Sequence, residues 1–140
     1  MRRATLMVTT LAMAVPACAP RRLALEPAKS TLGGVFTADQ AARGGSVYVG
    51  ACRECHSNLS HTETFKSRWN GRTLAELMLY MKKRMPGRSP GSLSNEEYTL
   101  VLAYMLQMIG MPAGASELST SEVALKGIRL DTLSVEQGPQ

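Results

Sequence analysis

Residues 52–56 read Cys52-Arg53-Glu54-Cys55-His56, and this motif prescribes what the rest of the chain must enclose. This Cys-x-x-Cys-His run is the attachment signature of a c-type haem. Two thiols three positions apart can each add to one vinyl group of the same porphyrin, and the next residue then lies beneath the iron. The motif therefore predicts one covalently attached haem c, tethered through Cys52 and Cys55 and ligated by His56.

The same cysteine spacing also occurs in half of a zinc site and in redox dithiols. A structural zinc site needs four ligands, usually including a second Cys or His pair. The other candidates are Cys18 and His61, and neither comes as a pair. A thioredoxin-like dithiol lies between a strand and a helix of an α/β unit, and the strand pattern for such a unit is missing. The haem interpretation is therefore favoured, and a zinc-binding interaction module is kept as an alternative.

Residues 1–19 have the layout of a secretory signal peptide. Arg2 and Arg3 precede an apolar stretch over residues 4–15 and a run of small residues, which is typical of an export signal. The apolar stretch is too short to cross a bilayer core of about 30 Å as a helix. This pattern predicts cleavage after residue 19 and export of the protein to the periplasm. The alternative is a lipobox, which would leave Cys18 as a lipidated N-terminus and anchor the protein to a membrane.

Length and charge limit the possible function classes. The 140 residues suffice for one small domain. The 16 basic and 11 acidic side chains give a net charge of +5, and loss of Arg2 and Arg3 with the leader lowers it to +3. This balance gives little support to nucleic-acid binding, so no nucleic-acid partner is predicted.

The domain is predicted to begin at residue 36, after an N-terminal arm over residues 20–35 that shows no sustained apolar period. Thr37 followed by Gln40 fits a capping box. The helix that it opens is expected to run to about Val49 and to deliver the chain to the cysteine motif.

A second helix is predicted from Thr73 and Glu76, another capping-box pair, which precede a stripe of apolar residues. Pro86 disfavours helical geometry at the residue before it, so this helix should stop close to Arg84.

A third helix is predicted from Ser94 with Glu97 three positions on, and Gly110 is placed to end it. The apolar spacing of this segment is helical. Its predicted inner face comprises Tyr98, Val101, Leu102, Met105, Met108 and Ile109.

The pattern as a whole predicts an all-α fold with three main helices and long loops around one haem. No run of period-two alternation indicates a strand. Two Phe, four Tyr and one Trp are few for a core of this size, and a porphyrin would supply the missing apolar bulk. The domain is expected to cover residues 36–114. Residues 115–140 are interpreted as a C-terminal extension that lies against it and ends in disorder.

The residue on the other side of the iron decides between electron transfer and catalysis. Met85 is favoured, because it stands where Pro86 breaks the helix, at the edge of a loop rich in Gly and Pro. Its thioether can extend toward the iron, whereas a Met at a helix centre is committed to its neighbours. Met111 remains an alternative, and so does His61, although His61 should emerge on the same side of the ring as His56.

With these residues placed, the chain resembles the class I cytochrome c domain from about Phe36 to Gly114. Gly44 and Tyr48 look like that family's N-terminal helix, where the small residue lets the C-terminal helix cross closely. Ala103-Tyr104 looks like the aromatic-bearing part of the crossing helix. Further stretches are similar to small bacterial cytochromes c associated with periplasmic, quinoprotein-type dehydrogenases: Met85-Pro86, Pro90-Gly91-Ser92-Leu93-Ser94, Glu97-Tyr98, Ala103-Tyr104-Met105-Leu106 and Pro112-Ala113-Gly114.

The resemblance implies haem c, ligation by His56 and Met85, and electron transfer rather than enzyme catalysis. It implies redox partner proteins, for which a periplasmic dehydrogenase and a terminal oxidase or another cytochrome are the candidates, and it does not identify the electron donor. By similarity of position, Trp69 and Arg72 are expected to contact the haem propionates. A haem enzyme or ligand sensor with an open sixth coordination site is the alternative function.

One stretch departs from the family pattern. Family members usually carry Gly after the haem-binding His and a Gly-Pro further on, whose carbonyl orients the imidazole. Here residues 57–62 contain neither Gly nor Pro. Because hydrogen bonds of this kind fix a ligating His and tune the metal, the resemblance does not identify the acceptor for the imidazole of His56.

Overall fold

The computed structural model describes residues 29–56 and 62–132. Three predictions lie outside these residues: the leader with Cys18, the position of His61, and the disorder of residues 133–140 at the end of the chain. In chain order the elements are β1 (Lys29–Ser30), a 3₁₀ helix (Thr31–Gly33), α1 (Ala38–Ala51), α2 (Thr62–Trp69), α3 (Leu74–Arg84), α4 (Asn95–Met108), α5 (Glu122–Lys126) and β2 (Ile128–Arg129).

The described residues are mostly helical, which confirms the all-α prediction, and three long helices, α1, α3 and α4, are those the sequence predicts. Over the described part of the chain, no helix has the length and apolar character that a membrane crossing requires.

Helix α1 packs against α4 in the most extensive helix pair of the fold. Gly44 makes this crossing possible, because a Cβ atom at this position would lie 1.9 Å from the carbonyl oxygen of Leu100. Next to it, the rings of Tyr48 and Tyr104 meet with their centroids 5.2 Å apart. The expected close crossing of the two helices is therefore present.

The N-terminus of α1 differs from the predicted capping box. The Thr37 side chain accepts a hydrogen bond from the backbone N–H of Gln40, as expected. The Gln40 side chain does not return to the cap, and this part of the prediction is wrong. Its amide instead donates to the carbonyl of Leu118 at 2.9 Å and accepts from the N–H of Leu118 at 2.7 Å. Gln40 is buried, and buried backbone groups require partners, so the pairing with Leu118 satisfies both. The helix also continues to Ala51, beyond the predicted end at Val49.

Helices α3 and α4 begin as predicted. Both have complete capping boxes, formed by Thr73 with Glu76 and by Ser94 with Glu97. The backbone N–H groups of Thr73 and Ser94 donate to the two carboxylates and thereby lower the pKa of each glutamate below its ordinary value. Helix α3 ends at Arg84, as the position of Pro86 predicts.

The predicted inner face of α4 is wrong at Met108, which is 39% exposed. The helix packs instead through residues that include Ala103 and Leu106, both fully buried. The chain then turns at Gly110, whose φ of +85° favours glycine. The N–H of Met111 donates back to the carbonyl of Leu106, which closes the helix end.

The core continues beyond residue 114. Leu118, Leu125, Ile128 and Leu130 are buried in the same cluster as the helices. The short strands β1 and β2 pair in parallel, so both ends of the described chain meet.

A clamp of backbone bonds attaches this C-terminal segment to the loop between α2 and α3. Leu130 accepts from the N–H of Gly71 at 2.7 Å and donates to the carbonyl of Arg72 at 2.8 Å. Helices α2 and α5 and this clamp have no counterpart among the elements predicted from the sequence.

Candidate haem site

The cysteine motif forms a turn that continues from α1. Cys52 is the C-cap of the helix, and its N–H donates to the carbonyl of Tyr48 at 2.9 Å. The carbonyl of Cys52 then accepts from the N–H groups of Cys55 at 3.2 Å and His56 at 2.9 Å. This turn places two free thiols and an imidazole next to each other at the end of a rigid helix.

Tyr48 fixes the end of that turn. Its hydroxyl donates to the carbonyl of His56 at 2.9 Å. Burial raises the pKa of Tyr48 above its ordinary value, and the nearby Cys52 and Tyr104 raise it further. The hydroxyl therefore keeps its proton and acts as a donor. The sequence predicts only helix packing for Tyr48, and its spacing of four residues before the first cysteine gives no sign of this bond.

Met85 also borders the site, and it is the C-cap of α3. Its N–H donates to the carbonyl of Met81 at 2.7 Å, and its own carbonyl accepts from the hydroxyl of Tyr98 at 2.6 Å. The backbone leaves helical geometry at this residue, and its side chain is half-buried at the edge of the loop.

Cys52, His56 and Met85 line both of two neighbouring cavities, which measure about 300 and 340 Å³. Because the same three residues border both spaces, the two cavities form one cleft. Cys55 and Arg84 also border the smaller space. The walls of the larger space are mainly apolar and aromatic, formed by Tyr48, Thr64, Phe65, Arg68, Trp69, Leu77, Tyr80, Met81, Val101 and Met105.

The residues of this cleft fit a haem. Two thiols can supply covalent tethers, an imidazole and a thioether are known iron ligands, and apolar walls suit the faces of a porphyrin. A redox dithiol fits less well, because such a motif lies between a strand and a helix of an α/β unit, whereas here Cys52 caps the long helix α1.

A zinc site is not assembled in residues 29–56 and 62–132, where no three Cys, His, Asp or Glu side chains are grouped to hold a metal ion. Cys18 and His61, the further ligands considered for zinc, lie outside these ranges.

The two residues expected to contact propionates have different positions. Trp69 is buried and lines the larger cavity. The guanidinium of Arg72 lies 4.9 Å from the centre of the Trp69 ring and pairs with Glu76 at 3.1 Å. Arg72 is not among the residues that border the two cavities. The propionate contacts of Trp69 and Arg72 stay a prediction.

Arg68 is a cavity residue that was not predicted from the sequence. It lies on α2, with its guanidinium 5.0 Å from the centre of the Tyr80 ring. The signal that could have identified it is its place beside Trp69 in a basic, aromatic stretch, but this required recognising α2 first.

The other methionines also separate by position. Met81 and Met105 line the larger cavity, and Met81 at the same time belongs to the buried core. Met111 is buried in that core and does not border either described cavity. Met85 is therefore the methionine that the structure brings together with the cysteine motif on both sides of the cleft.

Comparison with known proteins supports the haem interpretation. Residues 39–105 match the family model described as "Cytochrome C oxidase, cbb3-type, subunit III". The comparisons with curated proteins and with solved structures found no significant match. The matched residues run from the start of α1 into α4 and include the whole cleft. The fold is thus cytochrome c-like, and the match over residues 39–105 supports a class I cytochrome c domain, a kind of electron-transfer domain that binds covalently attached haem c.

Proposed function

We propose that this protein is a periplasmic one-electron carrier, or the electron-accepting subunit of a periplasmic dehydrogenase, with one haem c held by four residues. Cys52 and Cys55 are the tethers, and His56 and Met85 are the axial ligands. The observation that carries this assignment is that Cys52, His56 and Met85 border both halves of one apolar cleft. When bound, the haem supplies a one-electron couple.

The protein residues of the site hold and shield this group; none of them needs to act as an acid, base or nucleophile. Filling both axial positions leaves no place for a substrate at the metal, which separates an electron carrier from a haem enzyme. The aromatic rings and methionines that line the larger cavity would exclude water from a bound haem. Such a dry, apolar surround is one determinant of the reduction potential.

The proposed electron acceptor and the proposed electron donor rest on different observations. The matching family description names an oxidase subunit, which supports transfer toward a terminal oxidase or another cytochrome. A periplasmic dehydrogenase as electron donor is supported by the sequence resemblance described above. Export by the leader over residues 1–19, with Cys18 as the alternative lipid anchor, is part of the same proposal, because c-type haem is attached outside the bacterial cytoplasm.

Spectroscopy of the holoprotein tests the ligation. Ferric wild-type protein should show the weak far-red band of a thioether bound to iron, and its ferrous form should bind carbon monoxide slowly. Met85→Ala should lose the band and bind carbon monoxide rapidly, because the sixth position opens. Met108→Ala removes a methionine that is 39% exposed at the end of α4, so this control should keep the band.

Other outcomes of the same experiment have definite meanings. Rapid carbon monoxide binding by wild-type protein without the band would show an open haem site, as in an enzyme or a ligand sensor. A colourless protein that carries zinc after expression in cells competent for haem attachment would show an interaction module.

We also propose that a basic rim beside the cleft, formed by Lys82, Lys83, Arg84 and Arg88, steers acidic partners. Arg88 is paired with Glu54 at 2.8 Å, so its charge is largely compensated. Within the described ranges, Lys82, Lys83 and Arg84 form no ion pair. The steering charge of the rim therefore resides mainly on these three residues.

Oxidation of the ferrous protein by anionic hexacyanoferrate(III) should slow as ionic strength rises, because salt screens this attraction. At low salt, Lys83→Gln should slow the reaction at least about twofold, since one charge about 10 Å away in water contributes about 0.4 kcal/mol per charge of the oxidant. The control Lys126→Gln removes a lysine on α5 that is paired with Glu122, and it should have a smaller effect. A rate that does not depend on salt would contradict the steering role.

A further inference from the structure

We propose that Tyr98 is a positioning residue that latches the loop over residues 85–91 closed and thereby keeps the Met85 thioether at the iron. This inference rests on the proposed ligation by Met85. It concerns a residue for which the sequence predicts only a place in the hydrophobic face of α4.

The hydroxyl of Tyr98 connects the two ends of this loop. It donates to the carbonyl of Met85 at 2.6 Å, and it accepts from the N–H of Gly91 at 3.1 Å. The same Gly91 N–H approaches the Met85 carbonyl at 3.3 Å. One phenol oxygen is thus bonded to both the first and the last residue of the loop, which draws the ends together.

Tyr98 is well placed to be the fixed half of such a latch. It is 1% exposed, and its backbone N–H donates to Ser94 within the capped first turn of α4. The loop itself is more open, since residues 87–91 are exposed. Gly91 has a φ of +78°, which lets the chain turn so that its N–H faces the phenol. A rigid, buried element therefore holds a loop that has little burial of its own.

Removing only the hydroxyl isolates this role. In Tyr98→Phe the ring still fills the core, while the Met85 carbonyl loses its 2.6 Å donor and Gly91 loses one acceptor. The closed loop is then less favoured relative to open conformations, in which Met85 leaves the iron. An external ligand that competes with Met85 should gain by the same factor, because displacement of the thioether includes opening of the loop.

The test measures imidazole binding to the ferric holoprotein, followed by loss of the far-red thioether band. The loss of one or two hydrogen bonds predicts that Tyr98→Phe binds imidazole about 5-fold to 30-fold more tightly than wild type. Tyr104→Phe is the matched control, because it removes a phenol hydroxyl from the same helix, where the ring packs against Tyr48. This control should leave imidazole affinity unchanged, even if it alters the unfolding midpoint.

The outcomes separate the latch from the ligation on which it rests. An unchanged imidazole affinity in folded Tyr98→Phe protein, with the band present, would overturn the latch alone. A wild-type protein without the band would overturn the ligation by Met85 as well. If the variant does not fold, hydrogen exchange of wild-type protein decides the question: saturation with imidazole should speed exchange of the Gly91 amide, and an unchanged exchange rate would overturn the proposal.

Discussion

Replacing Cys52 and Cys55 together by Ala should abolish covalent haem attachment. Each thiol adds its sulfur and its hydrogen across one vinyl group, so the reaction needs no oxidant. Without both sulfur atoms, the motif has no group left that can form a thioether. On a denaturing gel, wild-type protein should stain for haem peroxidase activity and the double variant should not. This readout does not depend on whether the variant folds. Each single variant should keep one thioether and stain at reduced yield.

Cys18→Ala is the matched control for this experiment, because it makes the same chemical change at the third cysteine. Cys18 is assigned to the leader or to a lipid anchor, so haem staining should persist in this variant. Staining of the double variant at the wild-type level would contradict the assignment of the tethers.

Gly44→Ala should destabilise the protein by about 3 kcal/mol or more, because the added methyl group would overlap the carbonyl oxygen of Leu100. The two helices must separate or shift to admit it, and Tyr104 is also close, with its Cβ 3.0 Å from where the added carbon would lie. This cost far exceeds the gain of about 1 kcal/mol in helix propensity. It is a large part of the roughly 5–15 kcal/mol by which domains are typically stable. Denaturant unfolding of the holoprotein measures the change.

Gly50→Ala is the corresponding control in the same helix. A Cβ atom there meets nothing within 4 Å. The higher helix propensity of Ala should therefore stabilise the protein by about 0.5–1 kcal/mol, because no steric clash opposes it. A Gly44→Ala protein as stable as Gly50→Ala would show that the α1–α4 crossing is looser than the structure describes.

The parts of the fold that sequence predicts well are those with local signals. The two complete capping boxes and the stop at Pro86 involve residues within a few positions of one another, so the pattern alone locates α3 and the start of α4. The side chain of Gln40 shows the limit of such reasoning. Its short-range partner was available, but the buried backbone of Leu118, 78 positions away, takes its place.

The candidate site divides in the same way. Cys52, Cys55 and His56 are adjacent in the chain, and their chemistry can be predicted from spacing alone. Met85 needed an argument from helix ends, which the structure supports by bringing it to the same cleft. Arg68 and the hydroxyl groups of Tyr48 and Tyr98 were missed. Their roles depend on how α2, the turn after α1 and the loop after α3 fold against the rest of the site, and no local pattern encodes these distances.

The pairing of β1 with β2 has a consequence for the order in which the protein acquires its structure. Thr31 and Asp131 are bonded across 100 positions, so this joint cannot form until almost the whole described chain is present. Helix α1 must likewise wait for α4, which follows it by a long stretch of sequence. Closing contacts of such separation is entropically costly and slow. The segment with Cys52 and Cys55 is thus synthesised and exported well before the helices that pack around it. The topology therefore provides an interval in which both thiols are accessible for haem attachment.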